Sequence, residues 1–154
     1  MLKKRVVATL VVQNGIVVQS INFKKYLPIG KPSIAMEYLN QWGVDEIVLI
    51  DISATRNIKD PNYSMIKRAS EKCFVPLTVG GGISNLEHIE KLMHCGADKI
   101  SLNTAAIHNP ELISSAAKIF GDQCIVVSID AISTAKGYRV YDYLNNNILD
   151  TSPA

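Results

Sequence analysis

Apolar runs rich in β-branched residues alternate along this chain with stretches of helical period, and that alternation leaves few folds open. Arg5–Val12, Glu46–Asp51, Val75–Val79, Lys99–Leu102 and Cys124–Asp130 read as strands. Their nearly continuous apolar character predicts cover on both faces, as in a parallel sheet. Between them Ile34, Ala35, Tyr38, Leu39 and Trp42 recur at helical spacing before Gly43, while Met65, Ile66 and Ala69 mark a weaker helix opened by Asp60-Pro61. Ser84 and Glu87 form a capping-box pattern ahead of Ile89, Leu92 and Met93. Asn109-Pro110 opens a helix carrying Leu112, Ile113, Ala116, Ile119 and Phe120, which Gly121 ends. The resulting βαβαβαβαβ order predicts repeated right-handed crossovers, hence a doubly wound sheet or a (β/α)8 barrel of the TIM-barrel type.

An internal echo favours the barrel. Gly43-Val44-Asp45-Glu46-Ile47-Val48-Leu49-Ile50-Asp51 matches Gly96-Ala97-Asp98-Lys99-Ile100-Ser101-Leu102-Asn103-Thr104 at the Gly, Asp, Ile and Leu positions. A ring of equivalent βα steps accommodates such a repeat better than an open sheet with a reversal point. Tyr138, Val140 and Tyr143 within Gly137–Tyr143 suggest an extended or hairpin insert after the fifth strand. A complete barrel takes about 250 residues, whereas this chain has 154. The expectation is therefore one partial domain, residues 1–154, covering about the first five βα units. Either it is truncated at its C-terminal end, or it self-associates to cover its open edges.

Composition removes several functional classes. Sixteen Lys plus Arg against fourteen Asp plus Glu leave a net charge of +2, too small a surplus to predict nucleic-acid or anionic-membrane partners. The basic start followed by Val6–Val12 resembles a signal peptide only briefly: Thr9 interrupts the run, Gln13-Asn14-Gly15 ends it, and no small-x-small cleavage site follows. That segment reads as a strand. Cys73, Cys95 and Cys124 are odd in number and far apart, so neither a disulfide framework nor a metal knuckle is predicted, and a reducing cytoplasm is the expected setting. No cofactor is expected.

Thr78-Val79-Gly80-Gly81-Gly82 lies where a buried strand meets the turn before a capped helix. Glycines there expose backbone N–H groups to a phosphate, although a flexible strand-to-helix turn needs the same residues. Asn103 and Thr104 end the next strand at the equivalent position and add an amide and a hydroxyl at the same mouth. Asp51 and Asp130 each end an apolar strand. Together they suit acid–base or hydroxyl-orienting work, while a single such Asp is as readily a loop tie. Arg5, Glu46 and Lys99 start three strands, so a barrel would gather them at its opposite opening, where ion pairs closing the floor are the simplest reading. His88, His94 and His108 share no metal spacing and read as surface residues.

Several of these motifs, in this order, closely resemble the cyclase subunit of imidazole glycerol phosphate synthase, the HisF family. They are Met1-Leu2-Lys3-Lys4-Arg5-Val6-Val7, Leu49-Ile50-Asp51, Val79-Gly80-Gly81-Gly82-Ile83, Gly96-Ala97-Asp98-Lys99, Asn103-Thr104-Ala105-Ala106 and Ser128-Ile129-Asp130-Ala131. The resemblance covers essentially the whole chain. It implies a (β/α)8 fold, a HisH-like glutaminase partner docked at the N-terminal face, and ammonia passing through the barrel to a phosphorylated small molecule at the C-terminal face. It further implies that Gly82, beside Gly81, joins Asn103 and Thr104 in binding one substrate phosphate. Asp130 would be the general acid, with Asp51 a supporting neighbour. Arg5, Glu46 and Lys99 would belong to the ammonia gate, with Asp98 near the partner contact.

Two positions depart from the family's pattern. Val11 stands where the first strand carries a catalytic Asp, and Gln19 stands where a loop Lys grips substrate. Kept gate, kept phosphate site and lost base resemble the diverged paralogues that accompany a glutaminase in surface-polysaccharide sugar amidation. The alternatives are a genuine cyclase of histidine biosynthesis, a non-catalytic scaffold that activates a glutaminase, and a phosphosugar-binding half barrel without a partner.

Overall fold

A computed structural model describes residues 4–55 and 59–153; Met1, Leu2 and Lys3 of the opening motif and the terminal Ala154 lie outside them. The strands are β1 (Val7–Gln13), β2 (Ile16–Ile21), β3 (Lys25–Gly30), β4 (Glu46–Asp51), β5 (Leu77–Gly80), β6 (Lys99–Leu102), β7 (Ile125–Val127), β8 (Ala131–Thr134), β9 (Gly137–Asp142) and β10 (Asn147–Ile148). The helices are α1 (Pro32–Gln41), α2 (Tyr63–Ser70), α3 (Leu86–His94), α4 (Thr104–His108) and α5 (Glu111–Phe120). Seven strands form one sheet in the order β3-β2-β1-β4-β5-β6-β7, and β8, β9 and β10 form a small antiparallel sheet.

From β1 through β7 the five parallel strands follow one another in chain order without a reversal. Right-handed crossovers in a single direction place every connecting helix on one face, and the helices do touch their successors, α1 on α2, α2 on α3 and α3 on α5. This is a partial (β/α) barrel and not a doubly wound sheet, which would need a switch point. The sheet is not closed; β3 and β7 are its two borders.

Strand alternation divides the side chains into two sets. Leu10, Leu49, Val79, Ile100 and Ile125 are register partners in turn across the sheet, and all belong to or pack on the core beneath the helices. Their neighbours Val11, Ile50, Gly80, Ser101 and Val126, likewise paired across the strands, occupy the other face, the one a closed barrel would enclose. The continuous apolar runs thus serve both sides of one layer.

The repeated Gly-x-Asp step has a physical role. Asp45 N–H donates to Val6 O at 2.9 Å while its carboxylate accepts from Val6 N–H at 2.7 Å. Asp98 repeats the arrangement on Leu77, with both distances 2.8 Å. Each Asp clamps the start of its strand to a neighbouring strand.

Several sequence expectations shift. Val75–Val79 becomes Leu77–Gly80, and Cys124–Asp130 shortens to Ile125–Val127, because β7 has a parallel partner on one side alone. The stripe expected on α1 splits: Ala35, Met36 and Leu39 meet the core, whereas Ile34, Tyr38 and Trp42 are exposed. The capping box at Ser84 is replaced by Asn85, whose side chain accepts from His88 N–H at 2.8 Å. Asn62 caps α2 in the same way, accepting from Met65 N–H at 3.1 Å.

Candidate functional site

The C-terminal ends of β4 to β7 border a cleft of about 870 Å³, walled by Phe23 and Tyr26 from the β2–β3 hairpin and by Tyr141 and Tyr143 from the small sheet's side. Its floor carries Asp51, Gly81, Gly82, Asn103, Thr104 and Asp130, so the residues singled out at the strand ends do assemble in one place.

The glycine loop is shaped by close approach. Gly81 has φ +108°, and a Cβ there would lie 2.1 Å from Asp51 O; at Gly82, with φ +72°, it would lie 2.7 Å from the Ala54 Cβ. Only glycine allows the loop to lie against the end of β4 in this conformation. Gly82 N–H donates to Thr55 Oγ1 at 3.1 Å, and its carbonyl lies 3.2 Å from His88 Nδ1. That His88 is buried, 9 % exposed, corrects the expectation of a surface histidine. His108 also has a partner, with Nε2 3.0 Å from the buried Asp142 carboxylate.

Asn103 Nδ2 donates to Asp130 Oδ2 at 3.2 Å, which joins the amide of the expected phosphate site to the expected acid. Asn103 Oδ1 is buried without a hydrogen-bond partner among the described residues; a buried unpaired acceptor costs about 1–3 kcal/mol, which a ligand hydroxyl or amine donor offsets. Asp130 is exposed. Asp51 is buried, and its Oδ1 accepts from Ser53 N–H at 2.8 Å and Ser53 O–H at 2.6 Å, the geometry of a loop tie. Val11 pairs with Ile50 on the inner face, Ile50 itself lining the cleft. Gln19 is exposed on β2 and does not line the cleft.

At the opposite end of the same strands Glu46 is held between two cations. Lys99 Nζ donates to Oε2 at 3.0 Å, and the Arg5 guanidinium bonds Oε1. Lys99 first and Arg5 second hold the Glu46 carboxyl below its ordinary range, against the opposing effect of burial. Lys99 reaches Glu46 across the intervening β5. Strand rise puts Glu46 about 13 Å below Ile50, so cluster and cleft lie at the two ends of one inner face. Asp98 is exposed, with its carboxylate engaged by Leu77 N–H.

Among the described residues no group of three or more His, Cys, Asp or Glu side chains could hold a metal ion, and no helix is long and apolar enough to cross a membrane.

Comparison with known proteins gives two findings. Residues 5–147 match the family model described as "Histidine biosynthesis protein". A protein of Vibrio vulnificus (strain YJ016), provisionally named imidazole glycerol phosphate synthase subunit hisF2, is 48% identical over 150 residues, covering 97% of this chain and 55% of that protein. The chain thus spans about half the length of this curated relative.

Proposed function

Because this chain belongs to the histidine biosynthesis protein family, we propose that it serves a HisF-like synthase/cyclase subunit which receives ammonia from a glutaminase and delivers it to a phosphorylated or nucleotide-sugar substrate, in the manner of a diverged paralogue. The observation that carries this reading is the placement of the Arg5–Glu46–Lys99 cluster and the Gly82–Asn103–Thr104–Asp130 cleft at opposite ends of one inner sheet face, with Val11 between them.

Each part has a chemical task. Two cations around one carboxylate repel ammonium and leave neutral ammonia the favoured passenger. The Gly82–Ile83 peptide, the Asn103 amide and the Thr104 hydroxyl hold a substrate phosphate, which fixes the reacting carbon over the inner face. Ammonia attacks through its own lone pair. Asp130 gives its proton to the departing oxygen, and the surplus proton on the new nitrogen leaves to solvent. An isopropyl group at Val11 accepts no proton, so any step that needs a general base there forfeits about 3–5 kcal/mol of transition-state stabilisation. This is why amidation is favoured over ring-forming cyclisation. The family's description supports the second reading, a genuine cyclase of histidine biosynthesis.

The test incubates the intact protein with a HisH-like glutaminase, glutamine and the histidine-pathway intermediate. The proposal expects stimulated glutaminase activity, lost in Glu46→Ala, with little conversion of the intermediate. Robust conversion abolished by Asp130→Asn would establish the ordinary cyclase instead.

A further inference from the structure

We propose that His88 is a positioning residue for the phosphate site, its imidazole fixing the Gly82–Ile83 peptide from behind so that the loop's amide edge faces the cleft. The inference rests on the reading of Gly82 as part of that site. His88 lies in the first turn of α3, where Asn85 caps its backbone N–H at 2.8 Å, and its side chain points back beneath the glycine loop. Nδ1 lies 3.2 Å from Gly82 O. A carbonyl oxygen only accepts, so this contact is a hydrogen bond when Nδ1 carries the proton; in the other tautomer the same Nδ1 accepts from Ser84 N–H at 3.4 Å, and the ring then ties down the loop one peptide further on. Nε2 faces Asp60 Oδ1 at 3.4 Å, on an exposed side chain; the ring donates on both sides at once only when both nitrogens carry a proton.

The consequence follows from peptide geometry. Among the described residues there is no cis peptide bond, and in a trans peptide the C=O and the following N–H point in opposite directions. Holding Gly82 O toward α3 therefore turns Ile83 N–H the other way. Gly82 and Ile83 both line the cleft. At φ +72° Gly82 has no side chain to restrain it, and such a peptide can flip at little cost unless something holds its carbonyl. His88 supplies that hold, on one side, while Thr55 Oγ1 meets Gly82 N–H on the other. The ligand class is a phosphate monoester, bound through backbone N–H groups, and His88 improves its affinity without touching it.

Glycerol 3-phosphate is the probe, titrated into the protein while the Gly82 and Ile83 amide signals are followed by NMR, with thermal midpoints recorded in parallel. His88→Asn keeps an N–H donor near the position of Nδ1 and is expected to bind within about threefold of wild type. His88→Leu fills the volume without a donor and is expected to weaken binding about fivefold to tenfold, the worth of one neutral hydrogen bond, with its thermal midpoint retained. A purely structural role predicts the reverse ranking, since a buried Leu costs less than a buried Asn. Binding that Gly82→Ala abolishes but His88→Leu leaves unchanged overturns the role of His88 alone. Binding insensitive to Gly82→Ala, or none in the wild-type protein, overturns the phosphate site and His88's role with it.

Discussion

Replacing Gly81 by Ala isolates the close approach that shapes the cleft. The new Cβ would lie 2.1 Å from Asp51 O and 2.9 Å from Asp51 C, roughly 1 Å or more inside van der Waals contact, and both neighbours are backbone that no rotamer change can move. Gly43→Ala is the matched control, because Gly43 has φ +73° but nothing within 4 Å of its added Cβ. The control carries the left-handed backbone cost alone, about 1 kcal/mol, and should lower the thermal midpoint by about 2–4 °C for a chain of this size. Gly81→Ala adds overpacking against β4, for a total of about 3–5 kcal/mol and a fall of about 10 °C or more. Calorimetry of both variants, with urea unfolding as a second measure, decides the matter. If Gly81→Ala melts within about 2 °C of Gly43→Ala, the loop does not press on Asp51 and the steric account of the glycine motif is wrong.

Asn85→Ala should cost about 1 kcal/mol of stability while Ser84→Ala is nearly neutral, because Asn85 makes the cap; equal losses in urea titrations would reinstate the capping box. Glu46 offers a pH test. Its carboxyl is depressed by Lys99 and Arg5, so its stabilising contribution is complete above the unfolded-state value and disappears as pH falls through the folded-state value. Wild type should therefore exceed Glu46→Gln in thermal midpoint at neutral pH, and the difference should vanish in acid; a constant difference across pH would show that packing and not charge is responsible.

The parallel strands and their helices were legible because each carries a strong local signal: β4 and β6 have the expected bounds, Glu46–Asp51 and Lys99–Leu102. The β1–β2 hairpin was missed. Asn14-Gly15 reads as the end of an apolar run, yet φ of +51° and +80° at these residues make it a tight hairpin turn, for which Asn-Gly is the characteristic pair. Helix α4, five residues long, is too short for a periodic signal. The Arg5, Glu46 and Lys99 positions could be placed at one end of the sheet from strand starts, and the side chains do meet there. His88 could not be placed, since its burial depends on the loop from Asp60 and on the reversal at Gly82, contacts that no spacing within α3 encodes. Asp51 shows the limit of reading a strand-end carboxylate: its place at the cleft was foreseeable, whereas its bonds to Ser53 depend on how the following loop turns.

The two-sided use of the strands bears on how such a site changes over time. Leu10, Leu49 and Val79 secure the helices, while Val11 and Ile50 look the other way. A carboxylate can be exchanged for an isopropyl group at position 11 without touching a residue that anchors a helix. Side chains on one side of the wall are thereby free to drift while the masonry on the other stays fixed.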